Sequence, residues 1–226
     1  MIYSEFENII SPARMSRYLN ACNGNTKKAM TLYRLNLRLS QELLTVISCF
    51  EVALRNAINT HCLSLGNDWL RNGADTGGIF DNYNCRTTAN TINDAVRKLK
   101  NNYSHNKLVA ELGFGFWRYM FASQQYRVTG KTLLKIFPAK PTSTVAIQYN
   151  HTYIFNQLAK INELRNRIAH HEPICFKLGT SVKDTVYVRQ HYALILQLFQ
   201  WMTIDESALL YGLDHIHSIC NKIDQL

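Results

Sequence analysis

Residues 43–58 read LLTVISCFEVALRNAI, and this stretch decides the class of fold. Its large apolar side chains recur at intervals of four, three, four and four residues; they are Leu43, Ile47, Phe50, Leu54 and Ile58. Side chains three and four positions apart lie on one face of an α-helix, whereas a strand would need strict alternation. The stretch therefore predicts a helix with one buried face, beginning near Asn25 or Thr26 and continuing past Ile58.

Helix signals continue on both sides of this stretch. Ser11-Pro12 predicts a helix start, because the hydroxyl can cap the first turn and proline loses no hydrogen bond at the first helical position. On the other side, a long helix is predicted from Ser143 to about His170, since Pro173 bars its continuation. Further helices are predicted from about residue 183 to about residue 223, the last of them starting near residue 205 and running unbroken.

Residues 66–88 are the clearest interruption. They are rich in Gly, Asn, Asp and Thr, and they predict a long loop anchored by Trp69 and Phe80. No segment shows sustained alternation of apolar and polar residues, so the predicted fold is all-α. We expect residues 1–226 to form a single domain, with the C-terminal helices at about 183–223 as part of it.

The chain carries a net charge of +9, from 25 Lys and Arg against 16 Asp and Glu. This excess favours polyanionic partners, although a basic surface can also merely keep a protein soluble. No stretch approaches the roughly 18 unbroken apolar residues of a membrane span, and the N-terminus does not read as a signal peptide. The six cysteines are scattered without a C-x-x-C pair, which suits reduced thiols. We therefore expect a cytoplasmic protein with no membrane partner.

The densest polar cluster spans residues 163–173, which read ELRNRIAHHEP. On a helix, Asn166 and His170 share a face, and the long side chain of Arg165 can reach the same patch. Cations at this position can also be explained without a function, because the dipole favours them at the end of a helix. A zinc site on His170, His171 and Cys175 is a weaker alternative, since no fourth ligand is near in the sequence.

These residue types suit the cleavage of RNA. A histidine, with an ordinary pKa of about 6.5, can take the proton of a 2′-hydroxyl or return one to the leaving 5′-oxygen. An arginine can bind the phosphate and stabilise the charge that develops on it, while an asparagine amide positions either group. Because the reaction needs both a base and an acid, two copies across a two-fold axis would complete the site. This interpretation predicts a homodimer that uses neither a metal nor a cofactor.

The sequence resembles the abortive-infection (Abi, AbiD/AbiF-like) proteins of bacteria from about residue 11 to residue 175. Four blocks carry the resemblance in order: SPARM at 11–15 with Tyr18-Leu19, EVALRN at 51–56, GFGFW at 113–117 and HHEP at 170–173. The string RNRIAH at 165–170 is similar to the R-N-x-x-x-H ribonuclease motif of HEPN domains. The resemblance implies a HEPN-like helical bundle with additional helices, a dimer, and RNA cleavage in phage defence or toxin–antitoxin control.

The resemblance also assigns roles to residues. By matching positions, Arg165 and His170 would be the catalytic pair, and Asn166 would support them. Glu51 and Arg55 match a second block of the family, which would place them beside the site; they could equally be a structural i, i+4 ion pair.

Three further features have a structural and a functional interpretation. His171 is a supporting candidate as the neighbour of the motif histidine. His61 lies in an R-x5-H spacing with Arg55, but its place on the apolar stripe favours a structural histidine. In the aromatic stretch at 113–119, the helical spacing of Phe114 and Trp117 favours core packing over stacking on bases.

The leading hypothesis is a metal-independent endoribonuclease that leaves a 2′,3′-cyclic phosphate. The alternative from another class is a non-catalytic helical module that binds RNA or a partner protein, with the charge and the dimer retained but no turnover. A third hypothesis is an effector that a partner silences by protein contact, RNA binding or nucleotide transfer. An RNA or protein antitoxin is therefore among the expected partners.

Overall fold

A computed structural model describes residues 1–226 and contains twelve α-helices. They are α1 (Tyr3–Ile10), α2 (Pro12–Ala21), α3 (Thr26–Cys62), α4 (Trp69–Ala74), α5 (Arg86–Leu99), α6 (His105–Glu111), α7 (Phe114–Tyr119), α8 (Ser123–Val128), α9 (His151–Ala169), α10 (Val186–Trp201), α11 (Glu206–Leu209) and α12 (Ile216–Gln225). There is no β-strand, and the only extended pairing is one antiparallel bridge between Phe176 and Lys183. The predicted all-α class is confirmed. None of the helices is both long enough and apolar enough to cross a membrane.

Helices α2 and α3 begin as the sequence predicts. The Ser11 hydroxyl oxygen accepts the Arg14 N–H at 3.3 Å, and Pro12 occupies the first helical position. Helix α3 is 37 residues long and reaches from Thr26 to Cys62. The five apolar side chains that predicted it are each 1% exposed or less, so the stripe is the buried face of this helix.

The chain divides by its internal packing into two compact units. The first comprises Met1–Ser48, Glu163–Gln197 and Glu206–Leu226, and the second comprises Cys49–Asn162 and Leu198–Asp205. In the first unit the Tyr18 ring lies 5.2 Å from the Tyr33 ring and 5.0 Å from the Phe176 ring, both edge to face. In the second unit Phe50 packs edge to face on Phe199 at 5.2 Å. The single domain expected from the sequence stays a prediction.

The long loop predicted for residues 66–88 is wrong. This segment contains α4, a 3₁₀ turn at Tyr83–Cys85 and the first turn of α5. The predicted anchors Trp69 and Phe80 are buried. A Cβ on Gly73 would lie 3.0 Å from the Phe80 ring, so this glycine allows close packing inside a helix rather than marking a loop.

The predicted start of the long helix at Ser143 is also wrong, because α9 begins at His151. The preceding residues form a turn in which the Ser143 hydroxyl oxygen accepts the Tyr149 N–H at 3.0 Å. The Asn150 carbonyl oxygen Oδ1 then accepts the Tyr153 N–H at 3.0 Å and caps the helix. These local side-chain bonds compete with helical hydrogen bonds and delay the start.

The single final helix predicted from about residue 205 to 223 is interrupted. Helix α11 ends at Leu209 and α12 begins at Ile216. Between them Gly212 adopts φ +73°, the Asp214 carboxylate accepts the Tyr192 hydroxyl, and the His215 N–H donates to Glu42 at 3.1 Å. Hydrogen bonds to residues distant in the sequence therefore stabilise the turn between α11 and α12. A local sequence pattern does not predict such bonds.

Candidate active site at the end of helix α9

Helix α9 ends in a Schellman motif. Its two defining bonds are both 2.9 Å long and run from the Glu172 N–H to the Arg167 carbonyl and from the His171 N–H to the Ile168 carbonyl. His171 adopts φ +56°, at the position that glycine most often occupies in this motif. Pro173 follows directly, and its ring prevents further helix. The polar cluster therefore lies on the last helical turn and on a turn of defined geometry.

Arg167 stabilises this turn. Its Nε donates to the Glu172 carboxylate at 3.2 Å, and one terminal nitrogen donates to the Pro173 carbonyl at 3.2 Å. The guanidinium lies over the Tyr187 ring, 4.7 Å from its centroid. The side chain is only 11% exposed. Arg167 is thus bound by its own chain and holds the end of α9 against α10 within the first unit.

Asn36 holds the other side of the turn and was not among the residues predicted from the sequence. Its Oδ1 accepts the N–H groups of Ile174 at 2.9 Å and of Cys175 at 3.2 Å. The residue is 4% exposed on the buried face of α3, between Leu32 and Leu39. An amide on an otherwise apolar face was the signal that could have revealed it, because a buried amide needs partners.

The remaining polar side chains of the cluster are free. Arg165, Asn166 and His170 are exposed, and no hydrogen bond or ion pair joins their side chains to the rest of the chain. Asn166 and His170 lie one helical turn apart, and the His170 N–H donates to the Asn166 carbonyl at 2.9 Å. An arginine, an amide and an imidazole thus share one accessible helix end.

Arg165 lies beside the buried stripe of α9. The stripe runs through Ile154, Leu158, Ile161, Leu164 and Ile168, which are 6% exposed or less. Arg165 follows Leu164 directly and is exposed. The stripe therefore stays apolar to the last turn, and the cation lies outside it.

A model of the family described as Abi-like protein matches residues 3–175. The chain belongs to the Abi-like family. Membership supports a role in abortive infection, which is a defence against phage. The match ends two residues beyond Pro173, so the polar cluster lies inside it and α10 to α12 lie outside. No curated protein and no solved structure matches the chain.

Within this Abi-like chain, the two further residues implied by the resemblance belong to the other unit. Glu51 and Arg55 lie on α3 in the second unit, whereas Arg165, Asn166, His170 and His171 lie in the first. Both α3 residues are half-buried, and the Nε of Arg55 is enclosed without a hydrogen-bond partner. Their predicted position beside the site stays a prediction, as do the HEPN-like arrangement and the catalytic roles.

His61 of the Abi-like chain has a structural environment, in agreement with the interpretation of its place on the stripe. The ring is half-buried, and its Nε2 lies 2.8 Å from the Thr132 hydroxyl. Burial lowers the pKa of His61, and the nearby charge of Lys135 lowers it further. Both effects favour the neutral ring.

The donor set for a zinc ion is not assembled at the cluster. No group of three or more His, Cys, Asp or Glu side chains in the chain is placed to hold a metal ion. Cys175, the thiol of the alternative zinc interpretation, is fully buried, and burial raises its pKa to about 12. A zinc ligand would instead need a deprotonated thiol.

Proposed function

We propose that the protein is a metal-independent endoribonuclease with its active site at Arg165, Asn166 and His170. The observation that carries the proposal is the contrast between two arginines of one helix end. Arg167 is held by Glu172, Pro173 and Tyr187, whereas the Arg165 guanidinium has no partner in the chain and comes from the same helix end as the free imidazole of His170. A cation and an acid/base group that the chain leaves uncommitted are suited to bind a phosphodiester.

The chemistry follows from the residue types. An imidazole takes the proton of the 2′-hydroxyl, and the 2′-oxygen attacks the neighbouring phosphorus. The bond from phosphorus to the 5′-oxygen breaks, and an acid returns a proton to that oxygen. The products are a 2′,3′-cyclic phosphate and a free 5′-hydroxyl. Arg165 stabilises the charge that grows on the phosphate oxygens, and Asn166 orients a phosphate oxygen or the imidazole.

The base and the acid come from two copies of the chain in this proposal. One protomer offers His170 as the histidine of the motif, and an in-line displacement needs proton transfer at opposite sides of the phosphorus. A two-fold axis near the end of α9 would bring a second His170 to the same phosphate. The exposed, unpartnered side chains of Arg165, Asn166 and His170 leave this end of the helix accessible to a partner surface. His171, in the same turn, is the reserve candidate for the acid.

The cellular role that fits this activity is RNA cleavage in the bacterial cytoplasm during phage defence or as the toxin of a toxin–antitoxin pair. Such an activity has to be silenced until it is needed, so an RNA or protein antitoxin belongs to the proposal. The net charge of +9 favours RNA as the partner. The alternative, a module that binds RNA or a partner protein without turnover, rests on the same charge.

The test is cleavage of RNA by the purified chain in EDTA. We expect activity to persist, and His170→Ala to lower the rate by a factor on the order of 10² to 10⁴, because the acid/base group is lost. His217→Ala, at an exposed histidine of α12, is the matched control and should keep the rate. RNA binding without turnover by the wild type would favour the binding module instead.

The same assay identifies the nucleophile. A single 2′-deoxy or 2′-O-methyl nucleotide at the cut position should block cleavage, because the attacking oxygen is missing or capped. The product of an unmodified substrate should carry a 2′,3′-cyclic phosphate. A requirement for Mg²⁺ or Zn²⁺, or equal cutting of DNA, would contradict the mechanism.

A further inference from the structure

We propose that a cavity within the second unit binds a nucleobase, separately from the cluster on α9. The cavity measures about 410 Å³ and opens to solvent. Its wall comes from α5, α7, α8 and the 3₁₀ turn before α5; the polar and aromatic residues that argue for a ligand are Asn84, Thr88, Thr91, Phe116, Tyr119 and Gln125. Cavities of about 300–1,000 Å³ are the usual size of small-molecule sites.

The lining selects the chemical class of the ligand. None of its eight residues carries a charge at neutral pH. A phosphate would find no cation in it, so the cavity does not suit the charged part of a nucleotide. Amide and hydroxyl groups beside two aromatic rings suit a flat, uncharged ring with donors and acceptors on its edge. Nucleobases have this combination, and proteins bind them by stacking and by hydrogen bonds to their edges.

Gln125 supplies a polar group that lacks a partner. Its side chain is 6% exposed, and its Nε2 donates to the Thr88 hydroxyl oxygen at 2.9 Å. No group of the chain donates to its Oε1. This oxygen is not enclosed, so it remains able to accept an N–H from a ligand in the cavity. An exocyclic amino group or a ring N–H of a base is such a donor.

Tyr119 supplies the stacking surface. Its ring packs edge to face on Phe155 with centroids 5.5 Å apart, and the Arg118 guanidinium lies 5.2 Å from the ring centroid. These contacts fix the orientation of the ring. Nevertheless, Tyr119 as a whole is 50% exposed, and it lines the cavity. An aromatic ring that is held in place and still partly exposed is suited to stack on a base.

The aromatic stretch at 113–119 therefore serves two purposes. Phe114 and Trp117 are buried in the core, as their spacing predicts. Phe116 and Tyr119 come from the same short helix and line the cavity instead. Binding of a base at this cavity does not depend on RNA cleavage, so it can be tested independently of the proposed function.

The test is calorimetric titration of the full chain with the four nucleoside 5′-monophosphates, with ribose 5-phosphate as the ligand that lacks a base. We expect at least one monophosphate to bind and ribose 5-phosphate not to bind. Tyr119→Ala should weaken binding about five- to 150-fold, the range for loss of one stacked ring, and Tyr119→Phe should retain it. Tyr211→Ala is the matched control, because Tyr211 is 88% exposed and does not line the cavity.

Gln125→Leu gives a second variant, which should weaken binding of the monophosphate. It also removes the bond to the Thr88 hydroxyl, so the thermal unfolding midpoint should fall and titration is made well below it. A single-stranded oligoribonucleotide and the same strand with one abasic residue identify the source of the base, both titrated in the His170→Ala background. If the abasic residue weakens binding to the wild-type cavity but not to the Tyr119→Ala cavity, the bound base belongs to RNA. If the monophosphates bind and the oligonucleotides do not, the ligand is a free nucleotide. No binding of any monophosphate or oligonucleotide, or equal binding of ribose 5-phosphate, overturns the proposal, as does an equal loss in Tyr211→Ala.

Discussion

Arg165 and Arg167 carry the same charge two residues apart on α9 but have different surroundings. Arg167 donates to Glu172 and Pro173 and lies over Tyr187. Arg165 is exposed without a partner in the chain. A cation that is bound by its own chain contributes to stability, whereas an unbound cation is available to a phosphate. The pair therefore allows stability and activity to be separated by matched substitutions.

We expect Arg167→Ala to lower the free energy of unfolding by about 1–2 kcal/mol, because the bond to the Pro173 carbonyl and the contact with Tyr187 are lost. Glu172 adds little to this figure, since its carboxylate is half exposed and screened by water. Arg165→Ala should change the free energy of unfolding by less than about 0.5 kcal/mol. It should lower RNA cleavage by a factor on the order of 10² to 10³. Urea unfolding measures the stability of each variant, and RNA cleavage measures its activity. If Arg165→Ala destabilised the chain and Arg167→Ala did not, the structural role would belong to Arg165.

His61 gives a prediction on pH. Burial lowers the pKa of the His61 ring in the folded state below the ordinary histidine pKa of about 6.5. As the pH falls below about 6.5, the unfolded chain therefore binds the proton more readily than the folded chain does. The His61 contribution to stability is therefore fully present above that pH and is lost as the pH falls toward the folded-state pKa. His61→Gln can keep a bond to Thr132 without titrating. Thermal unfolding at pH 7.5 and pH 5.5 should show a smaller drop for the variant, and an equal drop would contradict the assignment.

At the scale of elements, a polar cluster organises the segment after α3. Asn59 Oδ1 accepts the Trp69 indole N–H at 2.9 Å and the His105 Nε2–H at 2.7 Å. His105 Nδ1 lies 3.0 Å from the Asp68 carboxylate, which also accepts the Tyr103 hydroxyl. An indole can only donate, so the shared Asn59 atom is the oxygen and the imidazole donates to it. One amide of α3 thus fixes α4 and the start of α6.

We expect Asn59→Ala to destabilise this segment first. Removing the acceptor leaves two partly buried N–H groups without a partner, which costs about 1–3 kcal/mol. Backbone hydrogen exchange should therefore increase in residues 69–80 before it increases in the rest of α3. Asn56→Ala, at an exposed position of the same helix, is the control and should leave exchange unchanged. If hydrogen exchange in residues 69–80 were the same in Asn59→Ala and Asn56→Ala, the polar cluster would not stabilise this segment.

At the scale of the whole molecule, the proposed active site requires two chains. We expect wild-type protein mixed with about a threefold excess of His170→Ala to lose more activity than dilution explains. Dilution alone would leave about one quarter of the rate, whereas a site shared between protomers would leave about one sixteenth after random exchange. Cleavage rates of the mixture, with sedimentation to verify exchange, decide between these values. A monomer that cuts at full rate would exclude the shared site and make His171 the candidate acid.

Much of the fold could be predicted from the sequence, whereas the site residues that it names stay predictions. The start of α2, the 37-residue α3 and its buried stripe follow from capping residues and from a period of 3.6. Both signals are local, and tertiary packing reinforces them. The family was likewise predictable, because its blocks are strings of residues in a fixed order.

What the sequence by itself determined is the all-α class, the long helices and the family. Only the tertiary structure decided that residues 66–88 are not a loop, because the acceptor for Trp69 lies on α3. It also decided that Arg167 is bound while Arg165 is free. The sequence does not reveal this difference, because the two side chains are identical. Helix periodicity depends on neighbours three and four residues away, whereas hydrogen bonds between distant segments depend on how the chain packs.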